Sequence, residues 1–246
     1  MKKWERILFV TCFWLGVWSL VSFWVGKEVL ISSPRSVAEK MLSLLTDRLF
    51  YRDISNSLSH ICLGFLCALL ASCVFSLLSL IFPFLFDLLS PLFSFIKATP
   101  VASFILIAFL IFGSQRLSVL ISFLMALPVL YGNLEDGLRS VSSNQLDAAR
   151  VYNMNGLSRL RYIYLPEAVP FFLSGCSVSL GLAWKAGVAA EVIGLARFSL
   201  GERLYNAKLF LDTSEVFATT IVIVAVSWIT EKLVMKSIES LCNRLL

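Results

Sequence analysis

Charge is scarce in this chain of 246 residues: Asp, Glu, Lys and Arg together make up 15% of it, against roughly 25% in ordinary soluble domains. There is a single histidine, His60, without a second His to share a metal centre. The cysteines Cys12, Cys62, Cys67, Cys73, Cys176 and Cys242 lack Cys-x-x-Cys spacing and lie mostly in apolar runs, so they read as small hydrophobes. No period-two barrel pattern is present, nor is His-Glu-x-x-His or Gly-x-Ser-x-Gly. Basic and acidic residues are interspersed and nearly balanced at a net charge of +5, which leaves no footprint for nucleic acid. Soluble enzymes, secreted disulfide scaffolds and nucleic-acid readers are excluded together.

What is present is apolar surface. Hydrophobic residues make up 58% of the sequence, and the mean hydropathy is +0.84. A 27.5 kDa globule cannot bury that much, so the excess faces lipid. Crossing a hydrocarbon core about 30 Å thick takes about 20 apolar helical residues. Six stretches qualify: 7–26, 57–81, 91–112, 117–132, 168–195 and 216–234. Backbone polar groups in lipid must be paired internally, so the spans are helices and the fold class is all-α, a polytopic membrane bundle in one domain. Lys2, Lys3 and Arg6 precede the first span, whose apolar run is too long for a signal peptide's core. Basic residues divide almost evenly between alternate sides, so the positive-inside rule alone does not orient the chain.

Between the spans, Lys27 to Asn56 carries Val37, Met41, Leu44 and Leu45 at helical spacing, which predicts an amphipathic helix along the interface. Ala196 to Glu215 is a second connection of that character. The loop 133–167 is more specific. Ser142, Ser143 or Asn144 can cap a short helix through Tyr152, helped by Ala148 and Ala149. Asn153-Met154-Asn155-Gly156 breaks it, because Asn and Gly tolerate left-handed backbone angles. A second helix, Leu157 to Ile163, is expected to stop at Leu165-Pro166. A rigid helix with small side chains suits docking into a groove on another protein, although shape alone fits a plain connector equally well.

Asp147-Ala148-Ala149, followed by Ile163-Tyr164-Leu165-Pro166, resembles the Glu-Ala-Ala loop of permease subunits from binding-protein-dependent ABC importers. Asp147 stands for the usual Glu and Asn153 for the usual Gly. Ser33-Pro34-Arg35-Ser36-Val37 and Ala183-Trp184-Lys185-Ala186-Gly187-Val188-Ala189-Ala190-Glu191 are similar to the nitrate, sulfonate and taurine branch. The resemblance implies a type I importer permease fold in the bacterial cytoplasmic (inner) membrane, with loop 133–167 on the cytoplasmic side. It implies a homodimer or a paired permease, two ABC ATPase subunits, and a periplasmic or lipid-anchored substrate-binding protein. It makes Asp147, Ala148, Ala149, Asn153, Met154, Asn155 and Gly156 the ATPase-coupling residues. The chain has no Gly-x-x-x-x-Gly-Lys-Ser/Thr, so it is expected to bind no cofactor itself and to leave ATP and Mg to the partner ATPase.

Lys185 and Glu191 are costly inside a span, at roughly 2.5–3.5 kcal/mol each on insertion scales. With Trp184 they are candidate lining residues of the substrate pathway. The other reading has Glu191 at the interface and Lys185 bonded to a neighbouring helix. Direct pairing is disfavoured, since six positions turn about 240° around one helix. From Ser174 to Ala190, ten of seventeen residues are Gly, Ala or Ser, which predicts a central, closely packed helix. An ion-coupled secondary transporter is the alternative, but no convincing internal repeat supports it.

Overall fold

The computed structural model describes Lys3–Leu245, with side chains from Trp4 to Cys242; Lys2 and the side chain of Lys3, part of the basic start, lie outside the described residues. Among the described residues all regular structure is helical. The elements are α1 (Lys3–Val25), α2 (Pro34–Thr46), α3 (Arg48–Ile81), α4 (Pro83–Ala98), α5 (Val101–Phe112), α6 (Leu117–Arg139), α7 (Ser143–Val151), α8 (Gly156–Arg159), a π-helical turn (Leu160–Tyr164), α9 (Leu165–Gly194), α10 (Leu200–Leu209) and α11 (Thr213–Leu245). Five stretches are long and apolar enough to cross a bilayer: Trp4–Val25, Arg48–Ile81, Leu117–Arg139, the continuous Gly156–Gly194 and Thr213–Cys242. The α4–α5 pair makes a sixth if taken as one broken span.

Several boundaries differ from the sequence expectation, each for a local reason. The amphipathic connector is real but ends at Thr46, because Asp47 caps a new helix by accepting from the Leu49 N–H at 2.9 Å. Residues 48–56 therefore belong to α3, which runs 34 residues rather than starting at 57. In α2, Val37 and Leu44 are buried and Met41 is half-buried, but Leu45 is exposed. The stretch 91–112 is not one straight helix. Pro100 cannot continue α4, and α4 and α5 meet at 102°. Lys97 lies in the last turn of α4, where a cation suits the helix dipole, and its Nζ lies beside Gly132 of α6. The fourth span continues to Arg139 instead of ending at 132, so the connecting loop is shorter than 133–167.

The fifth span also begins earlier than 168. Pro166 was expected to stop the preceding helix, yet α8, the π turn and α9 run on without a break. The Leu165 N–H reaches back five residues to the Leu160 carbonyl, and this wider turn accommodates the missing donor at Pro166.

α9 is the centre of the bundle, packed along α6 and against α3. Ile61 and Phe65 of α3, Leu127 and Leu130 of α6, and Leu180, Ala183 and Trp184 of α9 form the main buried cluster. Lipid is as apolar as leucine, so close backbone approach and hydrogen bonds hold such helices together. Gly187 illustrates the closeness: a Cβ there would come within 2.5 Å of Ser122 Oγ and 2.6 Å of Ile61. Ser122 Oγ also donates to the Ala183 carbonyl at 3.0 Å, tying α6 to α9. α1 stands apart, with none of its apolar window buried. It is tied to the rest through Trp18, whose indole donates to the Ser32 carbonyl at 3.1 Å, and Ser22, whose Oγ donates to the Ile31 carbonyl at 3.1 Å.

At the α10 end of the bundle a charge network joins four helices. Arg203 of α10 meets Asp47 at 3.1 Å, Asp53 at 3.0 Å and Glu215 at 3.4 Å. Lys40 of α2 meets Asp212 at 2.7 Å and Glu215 at 2.9 Å. Partial burial pushes the Asp212 carboxyl up, but the Lys40 ammonium and the Glu215 N–H outweigh it and hold it below the ordinary aspartate value of 3.8. Burial lowers Lys40, and its two carboxylate partners more than restore it, leaving it above 10.5. A depressed carboxyl stabilises the fold above 3.8 and stops doing so as pH falls through its folded value. A raised ammonium stabilises below 10.5 and stops doing so as pH rises beyond its folded value. Thermal unfolding of the purified chain in detergent is therefore expected to hold a plateau between those limits, with loss at both edges. Replacing Lys40 by Met should lower the plateau and blunt both edges.

Candidate functional site

Two sites lie at opposite ends of α9. At its beginning, α7 is built as a rigid unit. Ser142 and Gln145 form a capping box: the Gln145 N–H donates to Ser142 Oγ at 3.3 Å, and the Ser142 N–H donates to Gln145 Oε1 at 2.9 Å. The helix closes with paired reverse bonds from the Met154 N–H to the Ala149 carbonyl, at 2.9 Å, and from the Asn153 N–H to the Arg150 carbonyl, at 3.0 Å. That closure needs a left-handed residue, and Asn153 supplies it at φ 49°. Asn155 then caps α8, its Oδ1 accepting from the Ser158 N–H at 2.7 Å. Gln145 Nε2 donates to Glu167 Oε1 at 2.8 Å, which fastens α7 to the first turn of α9.

The expected coupling residues are thus brought together in one cap, but not all face outward. Asp147, Ala148, Asn153, Asn155 and Gly156 are exposed, Met154 is half-buried, and Ala149 is buried. Only Ala148 of the alanine pair can meet a partner. Asp147 pairs with Arg150 at 2.9 Å in solvent, which contributes little. Sequence reasoning missed the apolar residues beside them: Val151, Tyr152 and Leu157 are each more than three-quarters exposed. Their signal was an apolar run on both sides of a predicted turn.

In the other half of α9, the expected pathway residues separate. Trp184 and Lys185 line a groove of about 580 Å³ between α9 and α11, which extends to Leu204 of α10. Glu191 does not line it. It is fully buried where α3, α9 and α10 meet. Glu191 Oε2 accepts from Ser57 Oγ at 2.7 Å and from the Gly201 N–H at 3.1 Å, while Ser57 Oγ accepts from the Leu200 N–H at 2.9 Å. The first donors of α10, which have no partner within their own helix, are satisfied this way. Such an approach requires a glycine, since a Cβ at 201 would lie 2.2 Å from Glu191 Cβ.

The chain matches proteins of known type. The family model of the binding-protein-dependent transport system inner membrane component matches residues 61–236. The chain belongs to that family. It is a permease subunit of ABC importers in the inner membrane, a transport subunit that works with a binding protein. This permease is 28% identical over 214 residues to a Brucella melitensis protein named a probable ABC transporter permease protein, covering 85% of this chain and 84% of that one. It is 25% identical over 221 residues to the taurine transport system permease protein of Escherichia coli, covering 87% and 80%. It is 26% identical over 190 residues to a nitrate import permease protein of Leptolyngbya laminosa, covering 73% and 67%. A crystal structure of an amino acid ABC transporter with histidines shares the fold at a TM-score of 0.59 and 20% identity, covering 80% of the permease and 94% of that chain.

Glu191→Ala should destabilise the permease by roughly 3 kcal/mol, because buried donors on Ser57 and Gly201 lose their acceptor. Glu191→Gln, which keeps an acceptor oxygen, should lose much less, and Gly201→Ala should be as damaging as the alanine change. Thermal unfolding in detergent distinguishes the three.

Proposed function

We propose that this permease is half of an ATP-driven import pathway, and that α7 with its cap, Asp147 to Gly156, is the handle on which a separate ATPase acts. The observation that carries this reading is the construction of α7. It is capped at both ends, bonded to Glu167 of α9, and presents Ala148, Val151 and Tyr152 outward, with Leu157 of α8 exposed beside them. A helix fixed in this way can pass on a displacement that a floppy tether would absorb. Moving a two-state gate from 1:99 to 99:1 takes about 5.5 kcal/mol of differential interaction, within reach of a docked helix with several contacts.

In this reading two such permeases pair, as a homodimer or with a related chain, and two ATPases bind ATP and Mg on the cytoplasmic side. An external binding protein delivers the solute. The groove carrying Trp184 and Lys185 is part of the solute route, and Glu191 acts at a distance by holding α10 at its end. The solute is a small oxyanion or zwitterion of the nitrate, sulfonate or taurine kind, supported by the names of the relatives and by a lysine in the groove wall.

The test uses the full complex. Ala148→Arg, at an exposed position, should leave the permease folded but abolish copurification of the ATPase and ATP-dependent uptake. Ala149→Arg, at a buried position, should unfold the cap. Uptake that persists in Ala148→Arg, or without any ATPase, contradicts the coupling role and favours ion-coupled transport.

A further inference from the structure

Among the described residues, Lys185 is the one cation lining the groove between α9 and α11. Its side chain is exposed, and among the described residues it has no ion pair, hydrogen bond or ring partner. An unpaired ammonium within a span is expensive unless water or an anion reaches it. The other charged residue lining the groove, Glu231, accepts from Ser177 Oγ at 2.7 Å through Oε1 and keeps its negative charge on the α11 side of the wall. Its neighbour Lys232 is engaged, with Nζ 3.6 Å from the Trp228 ring centroid. Lys185 is therefore the unspent cation of this wall.

The rest of the wall offers donors. Thr220 and Ser227 contribute hydroxyls. Trp184 also borders the groove, but it is 2% exposed and its indole N–H is buried, so it adds no donor to the wall. The groove, at about 580 Å³, has room for roughly twenty waters at 30 Å³ each. A solute of a few heavy atoms fits there with part of its hydration.

We infer that Lys185 is the charge-selecting residue of the permeation groove, favouring small oxyanions over neutral or cationic solutes of similar size. This rests on the reading that the groove belongs to the solute route. An anion entering a low-dielectric groove loses hydration, and a fixed ammonium supplies a counter-charge where that loss is greatest. The ammonium raises the local concentration of anions beside α9, against the opposing field of Glu231 on α11.

The experiment uses the complete transporter in liposomes, with the native cysteines of this chain replaced and a single cysteine at Thr220→Cys or, independently, Val224→Cys, both lining the groove away from Glu231. The probes are two methanethiosulfonates of similar size, one bearing an ethylsulfonate anion and one a trimethylammonium cation. Relative to a free thiol, the anionic reagent should react several-fold faster than the cationic one. Lys185→Met should remove that preference, and Lys185→Glu should reverse it. A preference unchanged in Lys185→Met, or a cysteine at both positions unreactive to both reagents, overturns the proposal. ATP hydrolysis by the same liposomes separates the two readings. A complex that hydrolyses ATP without the preference sinks the role of Lys185 alone, whereas failure of any ATPase to associate sinks the importer reading.

Discussion

Close approach of α9 to α6 and α3 is the constraint on which the rest of this permease depends. Within a bilayer there is no gain from hiding leucine from lipid, so the helices are held by backbone proximity and by hydrogen bonds that leave few buried groups unpaired. Gly187 against Ser122 and Ile61, and Ser122 against the Ala183 carbonyl, make that contact directional. A helix packed this tightly on two sides is stiff. Displacements at its ends are more readily transmitted along it than absorbed within it.

Both ends of α9 carry specific attachments. At the start, Gln145 bonds to Glu167 and fastens the α7 cap. At the end, Glu191 and Ser57 hold the first donors of α10, and Arg203 of the same helix gathers the carboxylates of α3 and α11. The groove with Lys185 lies between these attachments. A capped helix at one end and a docked helix at the other are thus joined through one packed helix, with a largely apolar groove beside it. The π turn of Leu160–Tyr164 interrupts the regular helix where the α7 cap joins α9, a place where register can adjust without breaking the chain.

Much of this was legible in the sequence, and what was not has identifiable causes. A cap within Ser142 to Asn144, the turn at Asn153 and the central helix rich in small residues follow from local chemistry, and the structure bears them out, choosing Ser142 for the cap. The Asp147-Ala148-Ala149 stretch and the Trp184-Lys185 stretch pointed to the family. The bend at Pro100 was hidden because hydropathy has no direction, so two helices meeting at 102° read as one apolar run. The early start of the fifth span was hidden because Pro166 signals a stop unless the preceding turn widens. The place of Glu191 could not be read locally, since Ser57 lies 134 residues away and the contact depends on a glycine at 201. The burial of Ala149 beside an exposed Ala148 is a matter of helix phase, which the sequence leaves open at that position.

The central claim is that α7 and α10 lie on opposite sides of the membrane, joined by α9, with α7 on the side of the ATPase. The most direct test labels a single cysteine at Tyr152→Cys or at Phe210→Cys with a membrane-impermeant maleimide, in intact cells and after permeabilisation. The account predicts that Phe210→Cys labels in intact cells, while Tyr152→Cys labels only after permeabilisation and is shielded when the ATPase is present. Labelling of Tyr152→Cys from outside intact cells, or equal labelling of both positions from one side, would contradict it.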